Sequence, residues 1–404
     1  MARSGSTGER TAALRALAAR PTIPSGRLAQ RLLGARQGLD RRGLSALLIG
    51  IGADLLYLTG YDAILTERLT MLVLPAVGPA SLVVPRLEAS PAQDSPAARA
   101  GLLEVAAWDE TDDPIQVVAG LLAGRASSEN AIRLGISDRL WAIHLLRLQS
   151  ALPRASFESA TSVLRHLRIV KDPEEVQLLR LAARAADRVL DRIAHGPLIG
   201  RTEADVSHEI LEALVAEGHD VGDFAIVGSG PNSASPHHAA GDRVIAAGEP
   251  IVLDIGGLLG GYGSDVTRTI WLTGGDPKAG PDEEFLRIYE LVRDAQSEAT
   301  GSARPGTPAE RIDSVARGII GSGGHAAQFI HRTGHGIGLE GHEDPYLVEG
   351  NSEPVRAGMT FSIEPGVYLE GRYGVRIEDI VLCTEAGPVS LNDAPRDLIV
   401  VDGL

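Results

Sequence analysis

The chain has 404 residues, of which 44% are hydrophobic and 23% charged, and it carries a formal net charge of −15. That length allows two domains of ordinary size, and the balance is that of a globular protein. The negative charge argues against a nucleic-acid partner, which needs a basic face, and no run reaches the roughly 18 apolar residues that cross a bilayer.

Residues 1–25 are polar and rich in Ala and Arg, an arm or a short helix with no apolar core of signal-peptide type behind it. Leu28, Leu32, Leu33 and Leu39 form a helical stripe. Short apolar runs follow at Ala46–Ile49, Met71–Pro75 and Ala80–Pro85, which read as buried strands. Helix-like and strand-like segments alternate to about residue 150, the pattern of a small α/β layer domain. Asp172-Pro173-Glu174-Glu175 then supplies a capping Asp, a proline at the first helical position and acids in the first turn. The expected division is therefore 1–165 and 166–404. The second part mixes hairpin strands with segregated helices, an α+β pattern rather than a doubly wound sheet.

The chain is organised around Ile251-Val252-Leu253-Asp254-Ile255 and Ser264-Asp265-Val266-Thr267-Arg268. Both stretches read as apolar strands with a carboxylate inside, joined by a glycine-rich turn into a hairpin. An ionised Asp buried in such a strand costs roughly several kcal/mol unless a cation or donors compensate it. The bland alternative is that each Asp caps a turn in water, and the later sequence decides against it. His335 lies between glycines in Thr333-Gly334-His335-Gly336, Glu364 ends the apolar run Phe361-Ser362-Ile363, and Glu378 follows Val375-Arg376-Ile377. Asp254, Asp265, Glu364 and Glu378 bring four negative charges, which two divalent cations would neutralise and one would not. Four carboxylates and one imidazole suit Mn²⁺, with Co²⁺, Zn²⁺ or Fe²⁺ as alternatives, rather than thiophilic ions.

Those five residues, set in Gly-Ser-Asp-Val-Thr-Arg-Thr, Gly-His-Gly-Ile-Gly-Leu-Glu and Glu-Pro-Gly-Val-Tyr, resemble the pita-bread metallopeptidases over roughly residues 165–404. That family includes prolidase, aminopeptidase P, methionine aminopeptidase and creatinase. Asp54-Leu55-Leu56-Tyr57-Leu58-Thr59-Gly60-Tyr61 and the strand at Leu82–Pro85 resemble, more loosely, its creatinase-type N-terminal domain.

The resemblance implies a pita-bread catalytic domain behind a smaller α/β domain, and hydrolysis of the Xaa-Pro bond of a small peptide by two metal ions. The leading reading is a dipeptidase. The alternatives are an aminopeptidase acting on longer peptides and, in a different class, a catalytically dead binding module, which the five retained ligand positions disfavour. The resemblance further implies that Glu364 moves protons, and that His237 and His342 hold the substrate carbonyl. It places His331 at the proline site, Arg376 as a brace for the carboxylates and Tyr368 beside the centre.

His238 is an ambiguous neighbour of His237. Gly341 departs from the pattern, which often has a small branched residue before the second histidine. A homodimer is also implied. Cys383 is the only cysteine, so no intrachain disulfide can form; a reducing compartment, and so the cytoplasm, is the expected location.

Overall fold

A computed structural model describes residues 20–123 and 132–404; the expected N-terminal arm lies mostly outside them. The chain forms two compact units, Thr22–Arg168 and one containing Ile169–Leu404. The expected boundary at residue 165 falls inside the helix Thr161–Arg168, and the units divide at the end of that helix.

The first unit begins with the helix Ser25–Arg42, which buries Leu28, Leu32, Ala35 and Leu39 at helical spacing and stops at Gly43 in the left-handed conformation. Leu33, expected on the stripe, faces solvent because Leu32 takes the inner position. Six strands follow: β1 (Ala46–Gly50), β2 (Met71–Pro75), β3 (Ala80–Pro85), β4 (Leu103–Trp108), β5 (Arg133–Ile136) and β6 (Ser156–Ser159). They make one mixed sheet in the order β4-β3-β2-β1-β5-β6. Leu55–Leu58 belongs to a short helix, Ala53–Thr59.

The second unit opens with the 22-residue helix Pro173–Ala194, where the expected capping Asp172 and first-turn Glu175 form a capping box. The Glu175 side chain accepts from the Asp172 amide at 2.8 Å. Its first sheet has strands β7 (Val221–Ser229), β8 (Glu249–Leu259), β9 (Tyr262–Gly263), β10 (Val266–Leu272) and, from the far end of the chain, β18 (Ile399–Val401). The second contains β11 (Gly334–Gly336), β12 (Glu343–Leu347), β13 (Thr360–Ile363), β16 (Asp379–Thr384) and β17 (Gly387–Ser390). Strands β14 (Gly366–Leu369) and β15 (Tyr373–Arg376) form a separate hairpin.

Each large sheet has its own apolar layer. Leu190, Ile193, Val206 and Ile210 from helices pack with Ile251, Leu253, Ile255 and Ile270 of the first. Phe285, Ile288, Val292, Ile312 and Ala316 pack with Phe361, Ile363, Val381 and Cys383 of the second. Cys383 is thus a packing residue, as its apolar neighbours suggest. No helix among the described residues is long and apolar enough to cross a membrane.

Candidate metal centre

Register brings the acidic residues together. Asp254 on β8 lies directly across from Thr267 on β10, and Thr267 bridges to Glu378, between β15 and β16. Directly opposed residues project to the same face, so Asp254, Thr267 and Glu378 line up across adjacent segments. Asp265 is not inside the strand, as its sequence suggested. It lies one residue before β10, where the hairpin breaks after Gly263, and is nevertheless buried. Glu378 likewise sits in a break, between the end of β15 at Arg376 and the start of β16 at Asp379.

The imidazole arrives from the second sheet. Glycines flank His335 because neighbouring backbone leaves no room: a Cβ at Gly334 would run into the Ser362 carbonyl, and one at Gly336 into that of Asp344. Ligand atoms of Asp265, His335 and Glu378 all lie within 4.8 Å of one another. His335 Nε2 is 3.3 Å from Glu364 Oε1 and 3.7 Å from Asp265 Oδ2. Nδ1 of the same ring lies 3.1 Å from the Gly336 carbonyl; that carbonyl only accepts, so Nδ1 carries the proton and Nε2 keeps its lone pair. Burial, with His342 nearby, pushes the His335 pKa down to about 3, so the ring is neutral.

The carboxylates are both buried and incompletely bonded. Asp254 Oδ1, Asp265 Oδ1 and Glu378 Oε1 have no hydrogen-bond partner among the described residues. Burial, then the charges of Glu378 and Asp254, raises the Asp265 pKa well above the carboxylate range, and burial with Glu364 and Asp254 does the same to Glu378. Burial pushes Glu364 up to about 7 against the opposing charge of Arg376. Three neighbouring carboxylates with an orphaned oxygen each, two of them gathered with a neutral imidazole nitrogen, are a donor set that fits divalent cations.

The opposite oxygens are held firmly. Thr267 Oγ1 donates to Glu378 Oε2 at 2.6 Å. Arg376 donates to Asp254 Oδ2 at 2.6 Å, to the Tyr368 hydroxyl at 2.9 Å and, at 3.3 Å each, to Thr267 Oγ1 and the Pro236 carbonyl. Ser362 Oγ accepts from the His335 amide and donates to Glu364 Oε1 at 3.1 Å.

The remaining histidines take different places. His331 Nδ1 donates to the Arg332 carbonyl at 2.7 Å, which leaves Nε2, 2.8 Å from the Tyr368 hydroxyl, as an acceptor. Both of its nitrogens are therefore engaged. Burial pushes His331 down to about 4 and the Tyr368 hydroxyl up to about 12. His342 is exposed, with its ring 3.9 Å from that of His335. His237 is also exposed, close enough for its charge to lower the pKa of both His331 and His342. At Gly341 a Cβ would meet open space, so packing does not demand a glycine there.

Sequence reasoning missed several supports. His238 Nε2 lies 2.7 Å from Glu203 Oε2, and the fully buried Glu203 also accepts from Ser229 and Asn232. This anchors the loop bearing His237. The buried His219 has Nε2 2.8 Å from Ser264 Oγ, next to Asp265. Asp313 accepts from Thr333 and Arg317, and Arg317 donates to the His331 carbonyl. None of these has a local signal except Glu203, which follows the capping Thr202.

Fold and site together define a metallohydrolase of two units, and comparisons with known proteins place it more narrowly. The profile "Metallopeptidase family M24" matches residues 177–385, and "Creatinase/Prolidase N-terminal domain" matches residues 31–170. The chain belongs to metallopeptidase family M24. It is 46% identical to "Probable dipeptidase PepE" of Mycobacterium tuberculosis (strain ATCC 25618 / H37Rv), over 92% of this chain and 96% of that one. It is 31% identical to "Xaa-Pro dipeptidase" of Pyrococcus horikoshii, over 89% and 96%. The crystal structure of dipeptidase PepE from Mycobacterium ulcerans superposes with a TM-score of 0.86 at 44% identity, covering 94% of this chain and 99% of that one.

Proposed function

We propose that the chain is a dipeptidase that hydrolyses the Xaa-Pro bond, with Asp254, Asp265, His335, Glu364 and Glu378 holding two divalent cations. The carrying observation is the gathering of Asp265 and Glu378 around the neutral imidazole of His335, with an orphaned oxygen on each of them and on Asp254. When bound, the ions supply the charge that four carboxylates require and polarise a water and the scissile carbonyl.

The other work falls to side chains. Glu364, held by Ser362 and beside His335 Nε2, takes the proton of the attacking water and delivers it to the proline nitrogen. That nitrogen bears no hydrogen in the peptide and leaves as an amine only if protonated. His342 and His237 donate to the scissile carbonyl oxygen as charge builds on it. His331 and Tyr368, whose polar atoms are already bonded to each other, present ring faces to the proline. Arg376 has its donors committed to Asp254, Thr267, Tyr368 and Pro236, and braces the centre.

Names of relatives support a dipeptide substrate. Manganese is the first choice of ion because the donor set is four carboxylates and one imidazole. A homodimer is carried over from the resemblance, and a cytoplasmic location is supported by the lone free cysteine. Metal analysis of the purified chain, with Ala-Pro and Ala-Pro-Ala as substrates, tests the reading. Hydrolysis of Ala-Pro is expected, and cleavage of the tripeptide alone favours the aminopeptidase. Glu364→Gln should retain metal and lose at least about a thousandfold in turnover, in line with loss of a positioned acid–base group; near-normal turnover would remove Glu364 from its role.

A further inference from the structure

The guanidinium of Arg332 has no carboxylate partner among the described residues, whereas the other arginines around the centre are committed. Arg376 is bonded to Asp254, Arg268 to Asp379 and Arg317 to Asp313. Arg332 instead lies over the Tyr346 ring, 4.5 Å from its centroid, and makes one long contact of 3.4 Å to Nδ1 of His342. Tyr346 on β12 is the direct cross-strand partner of His335, and such partners share a face of the sheet. The half-buried cation therefore stands on the same face as the His335 imidazole. Its charge reaches the centre, lowering the pKa of His335, His342 and Glu364.

We infer that Arg332 is the receptor for the free C-terminal carboxylate of the substrate, and that it confines the enzyme to dipeptides. This rests on the Xaa-Pro reading above. In a dipeptide the terminal carboxylate belongs to the residue just after the scissile bond. Successive Cα atoms are only 3.8 Å apart, so its receptor must adjoin the group that holds the scissile carbonyl. Arg332 meets that requirement by touching His342. Five N–H donors in a planar fork match a carboxylate bidentately; only one of them is engaged, and that weakly. Stacking on Tyr346 restrains the guanidinium plane and leaves its N–H edge available. A longer peptide puts a neutral amide where the carboxylate would be and moves its charge about one residue further.

The test compares Ala-Pro with Ala-Pro-amide in wild type, Arg332→Met and Arg332→Lys, each loaded with Mn²⁺. Wild type should prefer the free acid. Arg332→Met should raise KM for Ala-Pro about tenfold to a hundredfold, the range for a hydrogen-bonded charge, with a much smaller change in kcat and in KM for the amide. Arg332→Lys should recover part of the discrimination. If wild type hydrolyses Ala-Pro but Arg332→Met impairs acid and amide equally, Arg332 serves only structure and the inference fails while the Xaa-Pro reading stands. If wild type hydrolyses neither compound, that reading fails and takes the inference with it.

Discussion

Two buried acidic clusters of the second unit lie close along the chain and are treated in opposite ways. At Asp379 the protein supplies the counter-charge itself. Arg268, 1% exposed, donates to Asp379 Oδ1 at 2.7 Å, and Arg396 donates to Oδ2. Arg268 also bonds the carbonyls of Thr267, Glu378, Ala394 and Pro395, which ties β10 to the segment bearing Glu378 and to the C-terminal loop. At Asp254, Asp265 and Glu378, one oxygen of each carboxylate is left without a partner. A compensated cluster holds the fold together; an uncompensated one reserves its anionic oxygens for a ligand. The lesson is that burial of charge does not by itself mark a binding site; incomplete satisfaction does.

Breaking the compensated cluster should have the largest effect on stability. Arg268→Met strands the Asp379 carboxylate and should cost about 3–5 kcal/mol, read by urea unfolding. The loss should persist when saturating Mn²⁺ is present during the titration. A loss that metal abolished would mean the two clusters are not independent.

The uncompensated cluster should show its character through pH. Metal-free native protein keeps the Glu364 proton to about pH 7, against an ordinary value of 4.5. The native state then binds more protons than the unfolded one, so this group's contribution to stability falls as pH rises from 4.5 to 7. Glu364→Gln lacks that proton. Metal-free wild type should therefore lose stability relative to metal-free Glu364→Gln across the window, by on the order of 3 kcal/mol. The histidines held neutral by burial act in the opposite direction in both proteins, so the difference isolates Glu364. A constant difference between pH 4.5 and 7 would show that Glu364 is ionised in the metal-free protein.

A smaller effect should come from Thr267, which serves the metal cluster from behind. Its hydroxyl donates to Glu378 Oε2 and accepts from Arg376. Thr267→Val should weaken metal binding about tenfold to a hundredfold, as expected for an outer partner of a ligand, with little change in the metal-free unfolding midpoint. Unchanged affinity by titration calorimetry would remove Thr267 from the centre.

Much of this second unit was legible from local pattern. A carboxylate in an apolar run is costly wherever it folds, so Asp254, Asp265, Glu364 and Glu378 stood out before any coordinate was known. The helix start at Asp172 was equally visible, because its cap, proline and first-turn acids are consecutive. The M24 family and its two-unit fold followed from motif order.

Other features depend on residues far apart in sequence. Thr267 and Glu378 are 111 positions apart and Glu203 and His238 35 apart, so no local period announces their hydrogen bonds. Breaks before β10 and after β15 aim Asp265 and Glu378, and they were invisible in runs that look like uninterrupted strand. Sequence by itself determined which side chains could not be buried alone, because the cost of desolvating a charge belongs to the residue type. Only the tertiary structure decided which charges found a partner. Arg268 reaches Asp379, while Arg332 is held over Tyr346 with no carboxylate partner among the described residues, and that pairing depends on register between strands that sequence neighbours do not set.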